Sequence, residues 1–255
     1  MTQLYATYPS LRDRHVLISG GASGIGASMV RAFAAQASRV SFLDIDRQGG
    51  EALVRELSGV SAHTPSFLPC DVTDITALRS AIETAARTAP VAVLVNNAAN
   101  DSRHRVEDTT VALWDATMAV NLRHYFFAAQ AVIPGMRALR GGSIINFGSI
   151  SWMNKQPGLP AYTAAKAAVQ GLTRTLAREV GRDGIRVNTV VPGWVMTERQ
   201  LALWVDAEGE RQMDISQCLP GRLQPADLAR MVLFLAADDS RMCTAQDFIV
   251  DAGWT

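Results

Sequence analysis

Short apolar runs recur along this chain, each followed by a polar or glycine-rich turn and then by a stretch with helical spacing. Seven runs read as strands, over residues 15–19, 39–43, 67–70, 91–95, 143–147, 185–191 and 247–250. Val91-Ala-Val-Leu-Val95 is apolar throughout, as a parallel strand covered on both faces must be. Apolar residues three and four apart predict helices through Met29, Val30, Phe33 and Ala34, then over 50–57, 74–87, 111–137 with an interruption near Pro134, one carrying Tyr162 and Lys166 to about 180, and 225–237. Strands alternating with helices predict an α/β fold, a doubly wound parallel sheet of seven strands with helices on both faces. Residues 194–222 break the pattern and are expected to form a lid over the sheet edge.

No repeat, low-complexity tract or linker divides the 255 residues, so a single domain spanning 1–255 is the expected organisation. Hydrophobic residues make up 48% and charged ones 19%, enough for a large core. Formal net charge is zero, which removes any electrostatic case for nucleic acid or an anionic membrane surface. Residues 1–14 lack the apolar run of a signal peptide and no stretch is long and apolar enough to span a bilayer, so a cytoplasmic protein without membrane contact is expected. Cys70, Cys218 and Cys243 are odd in number and widely spaced, arguing against disulfides, and with four scattered histidines no metal site is expected.

The chemistry gathers at the carboxyl ends of the strands, where ligands sit in such sheets. The first strand runs straight into Gly20-Gly-Ala-Ser23-Gly24-Ile25-Gly26 and then a helix. Strand, glycine turn and helix N-terminus together form a phosphate cradle of Rossmann type. Asp44 closes the second strand 18 residues beyond Gly26. It is placed either to hold the ribose hydroxyls of NAD and repel the 2′-phosphate of NADP, with Arg47 nearby as a contrary charge, or to cap the next helix. Asp71-Val72 and Asn97 follow the third and fourth strands, and Ser149 the fifth.

Tyr162 and Lys166 stand four apart on one helix and are neighbours on one face. An ammonium beside a phenol favours the phenolate, so Tyr162 can take a proton from a substrate hydroxyl that Ser149 holds in place. Asn121, inside an apolar helical stretch, either bonds a kinked backbone or joins a proton relay through water. Small residues Ala164, Ala168, Gly171 and Thr175 line another face of the Tyr162 helix. They allow a second helix to approach, either from another copy of the chain or from within the monomer.

Taken together these motifs resemble the short-chain dehydrogenase/reductase family over nearly the whole chain. The glycine motif matches Ser19 to Gly26, with Ser19 where threonine is commoner, and Asn96-Asn97-Ala98-Ala99 matches a motif that usually ends in glycine. The resemblance implies a catalytic tetrad of Asn121, Ser149, Tyr162 and Lys166, the serine thirteen residues before the tyrosine. It implies NAD held by Gly20, Ser23, Gly24, Ile25, Gly26, Asp44 and Asn97, with Asp71 and Val72 at the adenine, Tyr162 and Lys166 at the ribose, and Pro192, Val195 and Thr197 at the nicotinamide amide.

Within the family, the segments Asn100-Asp-Ser-Arg-His104, Asn146-Phe-Gly-Ser-Ile-Ser-Trp152, Val191-Pro-Gly-Trp-Val-Met-Thr-Glu-Arg-Gln200, Gln217-Cys-Leu-Pro-Gly-Arg222 and Asp238-Asp-Ser-Arg-Met-Cys243 resemble bacterial aldose 1-dehydrogenases, the D-xylose and L-arabinose type. That implies a small-molecule sugar substrate met by Asn100, Asp101, Ser149, Ser151, Asn154, Tyr162 and Trp194, with Trp152 against the pyranose face. A homo-oligomer is expected, a tetramer before a dimer. Two other readings stay open: a dehydrogenase of another secondary alcohol such as a polyol or sugar acid, and a dinucleotide-binding regulator without catalysis.

Overall fold

The computed structural model describes residues 5–255; Met1–Leu4, the start of the lead read above as no signal peptide, lie outside the described residues. Strands β1 (His15–Ser19), β2 (Arg39–Asp44), β3 (Ser66–Pro69), β4 (Val93–Asn96), β5 (Gly142–Phe147), β6 (Ile185–Pro192) and β7 (Asp247–Val250) form one sheet in the order β3-β2-β1-β4-β5-β6-β7. All pairings are parallel. The chain winds outward one way from β1 to β3, then crosses back to β4 and winds the other way. The strand-end crevice between β1 and β4 is therefore the switch point of the sheet.

Helices α1 (Gly24–Ala35), α2 (Arg47–Leu57), α3 (Ile75–Ala86), α4 (Val111–Met118), α5 (His124–Ala138), α6 (Pro160–Val180), α7 (Glu198–Leu203), α8 (Ala207–Ser216) and α9 (Pro225–Ala236) surround the sheet. The two-residue period of the strands divides the core. Val16, Ile18, Val40, Phe42, Val93, Val95 and Ile145 face Met29, Phe33, Leu228 and Val232 of α1 and α9. Leu17, Leu43, Leu94, Ile144 and Val187 face Leu78, Ile82, Val132, Met136 and Leu176 on the other side.

Two local expectations are revised. The helix over 111–137 is not interrupted at Pro134, because α5 runs through it to Ala138. The carbonyl that Pro134 leaves without a donor belongs to Gln130, on the exposed side of the helix. The break falls instead at Ala119–Arg123, where the turn widens to a π-helix around Asn121. Asp44 does not cap α2; Asp46 does, accepting from Gly49 N at 3.0 Å. Residues 194–222 carry two short helices, α7 and α8.

The small-residue face of α6 is not buried within the monomer. Ala164, Ala168, Gly171 and Thr175 are all exposed, and a Cβ built on Gly171 would meet nothing within 4 Å. The opposite face is fixed by polar bonds. Asn146 Nδ2 donates to Thr173 Oγ1 at 3.0 Å, Thr189 Oγ1 to the same oxygen at 2.9 Å, and Asn96 Nδ2 to Asn146 Oδ1 at 2.9 Å. This buried network ties α6 across β4, β5 and β6, and so sets the height of Tyr162 over the strand ends.

Candidate active site

A cleft of about 820 Å³ opens over the carboxyl ends of the strands. Gly20, Ser23, Gly24, Ile25, Gly26, Asp44, Asp71, Val72 and Asn97 line one part, Pro192, Val195 and Thr197 another, and Asp101, Ser149, Ser151, Asn154, Tyr162 and Trp194 the rest. Segments scattered from 20 to 200 are brought together because every one follows a strand of the same parallel sheet.

The glycine turn is held from below by Asn97. Its Nδ2 donates to the carbonyls of Ser19 and Gly20 at 3.0 and 2.9 Å, while its own N–H donates to Ser19 Oγ at 3.0 Å. Gly20 adopts φ +69°, and a Cβ there would lie 2.8 Å from Ala98 Cα. Ser23 makes no side-chain cap on α1, so the first N–H groups of that helix face the cleft without a side-chain acceptor. Asp44 Oδ2 accepts from Ala22 N at 2.9 Å and Oδ1 from Asp46 N at 3.0 Å, which fixes the carboxylate at the end of β2. A glycine cradle, an uncapped helix N-terminus and a rigid carboxylate suit the diphosphate and ribose of a nicotinamide dinucleotide.

Ser149 ends β5 and its Oγ accepts from Ser151 N at 3.1 Å. Burial pushes the phenol of Tyr162, in the first turn of α6, up to about 12, against the opposing effect of Ser149 and with the Asp101 charge acting in the same direction. Lys166 is 1% exposed and burial pulls it down to about 7, against the opposing pull of Asp101. Its Nζ donates to Tyr125 Oη and to the Phe147 carbonyl, each at 2.9 Å, and lies 5.7 Å from the Tyr162 ring centroid. Desolvation dominates the Tyr162 phenol, and Lys166 Nζ is bonded to Tyr125 and a carbonyl rather than to Tyr162.

Asn121 is fully buried behind the cleft wall. Its Nδ2 donates to Thr117 O and Asn100 O at 2.9 and 3.0 Å, and its Oδ1 accepts from Asn100 N at 3.0 Å. The side chain thus supplies the bonds that the widened turn lacks. Asn100 is corrected by the same contact: its backbone is held by Asn121, its Oδ1 accepts from Ser102, and it does not line the cleft. Trp152 is likewise outside, 38% exposed on the surface.

Its place is taken by a residue that sequence reasoning missed. Trp254, just past β7, lines the cleft 6.4 Å from the Trp194 ring. The only signal was its position after a strand end, like the other site residues. Gln200, in α7, joins the same wall: its Nε2 donates to Asp101 Oδ2 at 2.6 Å and its Oε1 accepts from Trp194 Nε1 at 2.9 Å. Arg199 Nε pairs with Asp101 Oδ1 at 3.1 Å. Ser151 Oγ is buried in the wall without a hydrogen-bond partner.

The family model described as enoyl-(acyl carrier protein) reductase matches residues 20–255. The chain is 49% identical over 249 residues to a D-xylose 1-dehydrogenase of Caulobacter vibrioides, covering 98% of each, and 46% identical to a probable galactose dehydrogenase of Rhizobium meliloti, covering 99% of each. Among solved structures it resembles a blue fluorescent protein from a metagenomic library in complex with NADPH, with TM-score 0.89, 34% identity and coverage of 96% and 99%. A 3-oxoacyl-[acyl-carrier protein] reductase from Brucella melitensis superposes with TM-score 0.92 at 29% identity, over 100% of this chain and 98% of that one. With the strand order, the glycine turn, and Ser149 and Tyr162 in one cleft, the chain belongs to the short-chain dehydrogenase/reductase family, oxidoreductases acting on CH–OH groups.

Proposed function

We propose that this chain is a NAD-linked sugar 1-dehydrogenase that oxidises the anomeric hydroxyl of an aldopyranose to the aldonolactone. The observation that carries the reading is the Ser149–Tyr162 pair at the floor of a cleft whose other walls offer Asp101, Ser151, Asn154 and Gln200 to hydroxyl groups, beside two indole rings. The sugar dehydrogenases among its relatives support it. Arg199 is paired with Asp101, which favours an uncharged sugar over an acidic one.

When bound, the oxidised nicotinamide accepts the hydride that leaves C1 of the sugar. Ser149 holds the reacting oxygen, and Tyr162 as phenolate takes its proton. Lys166 supplies the positive charge beneath Tyr162 and bonds the nicotinamide ribose. Asn121 keeps the widened turn in place and so the wall that carries Asn97 and Asp101. Residues 194–222 close over the sugar, with Gln200 joining the lid to Asp101. The test is a panel of aldoses, polyols, ketones and acidic sugars assayed with NAD and NADP by the absorbance of the reduced cofactor. Turnover of polyols or ketones without aldoses would overturn the reading.

Asp44 supports NAD over NADP, because its carboxylate accepts ribose hydroxyls and repels a 2′-phosphate. Asp44→Ser is expected to raise kcat/KM with NADP by about tenfold, the scale of one removed charge repulsion, while weakening NAD. An unchanged cofactor ratio would place the selectivity elsewhere.

Further copies of the chain are proposed to dock on the exposed small-residue face of α6 beside α4, where Trp114 is 40% exposed. A tetramer is expected in sedimentation, and a monomer in solution would refute it. No helix of the described residues is long and apolar enough to cross a membrane. The three free cysteines support a reducing, cytoplasmic setting.

A further inference from the structure

The first turn of α5 sets a second phenol against the reactive pair. Tyr125 is fully buried, and its hydroxyl accepts from Lys166 Nζ at 2.9 Å while donating to the Phe147 carbonyl at 3.1 Å. The same carbonyl accepts a second N–H of Lys166 at 2.9 Å. Lys166 Nζ, Tyr125 Oη and Phe147 O thus form a closed triangle, with the ammonium 5.1 Å from the Tyr125 ring centroid. A lysine ends in a point charge on a flexible four-carbon stem and does not hold one geometry unaided.

We infer that Tyr125 is a positioning residue, whose hydroxyl clamps the Lys166 ammonium against the Phe147 carbonyl and leaves one N–H for the cleft; this rests on the catalytic role of Tyr162 and Lys166 proposed above. Two acceptors fix the position of Nζ where one would let it swing. Tyr125 does not relay a proton, because its own O–H points at a carbonyl oxygen. Its contribution is a lone pair and a location. The groups facing Lys166 are Tyr162 on its own helix, Tyr125 and His124 on α5, and Asp101 from the loop after β4. His124 is held neutral, burial pulling it down to about 3, so Asp101 is the one formal charge among them at neutral pH. The charge on Lys166 therefore depends on the acceptors bonded to it.

The chain has two lysines, Lys155 and Lys166, so lysine labelled at Cε gives two NMR resonances, one from exposed Lys155. Tyr125→Phe keeps the ring and removes the hydroxyl. In the cofactor-free protein, the Lys166 midpoint is expected to fall by at least about half a pH unit, because the buried ammonium loses an acceptor. In sugar oxidation, Lys166 then loses its charge at a lower pH, and the Tyr162 phenolate, without that counter-charge, forms only at higher pH. The acid limb of kcat/KM moves upward by a similar amount and kcat at neutral pH drops about tenfold, with KM little changed.

An unmoved Lys166 resonance together with an unshifted profile, even with a lower melting temperature, would leave Tyr125 as core packing and overturn the clamp. Should Y125F fail to fold, the wild-type protein decides: Nζ protons of Lys166 exchange slowly under the clamp, and exchange as fast as that of Lys155 refutes it. A wild-type chain inactive on every sugar but with the shifted Lys166 resonance in Y125F would remove the sugar reading and leave the clamp standing.

Discussion

Tyr162→Phe is expected to lower kcat for sugar oxidation by about a thousandfold, the size of a positioned acid–base group, while the reduced cofactor binds as before. The substitution removes one oxygen from the floor of the cleft and leaves the glycine turn, Asp44 and the strand ends untouched. Steady-state kinetics and a fluorescence titration with the reduced cofactor separate the two effects. Activity within a few fold of wild type would remove Tyr162 as the base.

The pH dependence of the wild-type enzyme follows from the same oxygen. Burial raises the Tyr162 phenol to about 12, so at neutral pH the phenolate is the minor form and its share grows about tenfold per pH unit below that value. Oxidation therefore speeds up as pH rises from neutrality, and carbonyl reduction, which needs the phenol, does not. A flat profile for oxidation would show that proton removal by Tyr162 is not part of the rate.

Gly26→Ala is expected to weaken cofactor binding by a hundredfold or more, a loss of about 3 kcal/mol. A Cβ on Gly26 would sit on the carbonyl oxygen of Gly20 and 3.0 Å from Asn97 Nδ2. That carbonyl is an acceptor of the Asn97 clamp, so one methyl group displaces the turn and breaks the bond that holds it. The carbonyl is backbone and has no rotamer by which to yield. Overpacking of this kind costs about 1–3 kcal/mol of stability, so the melting temperature falls as well. Calorimetric titration with the reduced cofactor checks the affinity, and wild-type binding by this variant would show that the cradle does not contact the diphosphate.

Some features were legible because they are properties of a short stretch. A parallel strand covered on both faces is apolar along its length, so Val91–Val95, which holds β4, stands out before any partner is known. The pairing of Tyr162 with Lys166 follows from helical periodicity alone. Other features were not legible. Pro134 is a strong local signal for a break, yet α5 passes through it, because the carbonyl left without a donor faces solvent. Asn121 is a weak local signal, yet the helix widens around it, because Asn100 across the loop completes its bonds. Trp254 reaches the cleft because Gly193 N donates to Val250 O at 2.9 Å, which sets the end of β7 beside that of β6.

By itself the sequence determined the α/β alternation, the strands, the glycine turn and which residue types stand at strand ends, since each depends on periodicity or on the backbone needs of neighbouring residues. Only the tertiary structure decided that Asn100 and Trp152 lie outside the cleft, that Trp254 and Gln200 belong to it, and that Lys166 is held by Tyr125. Those outcomes depend on desolvation and on hydrogen bonds between segments far apart in the chain, and neither exists until the helices have packed on the sheet.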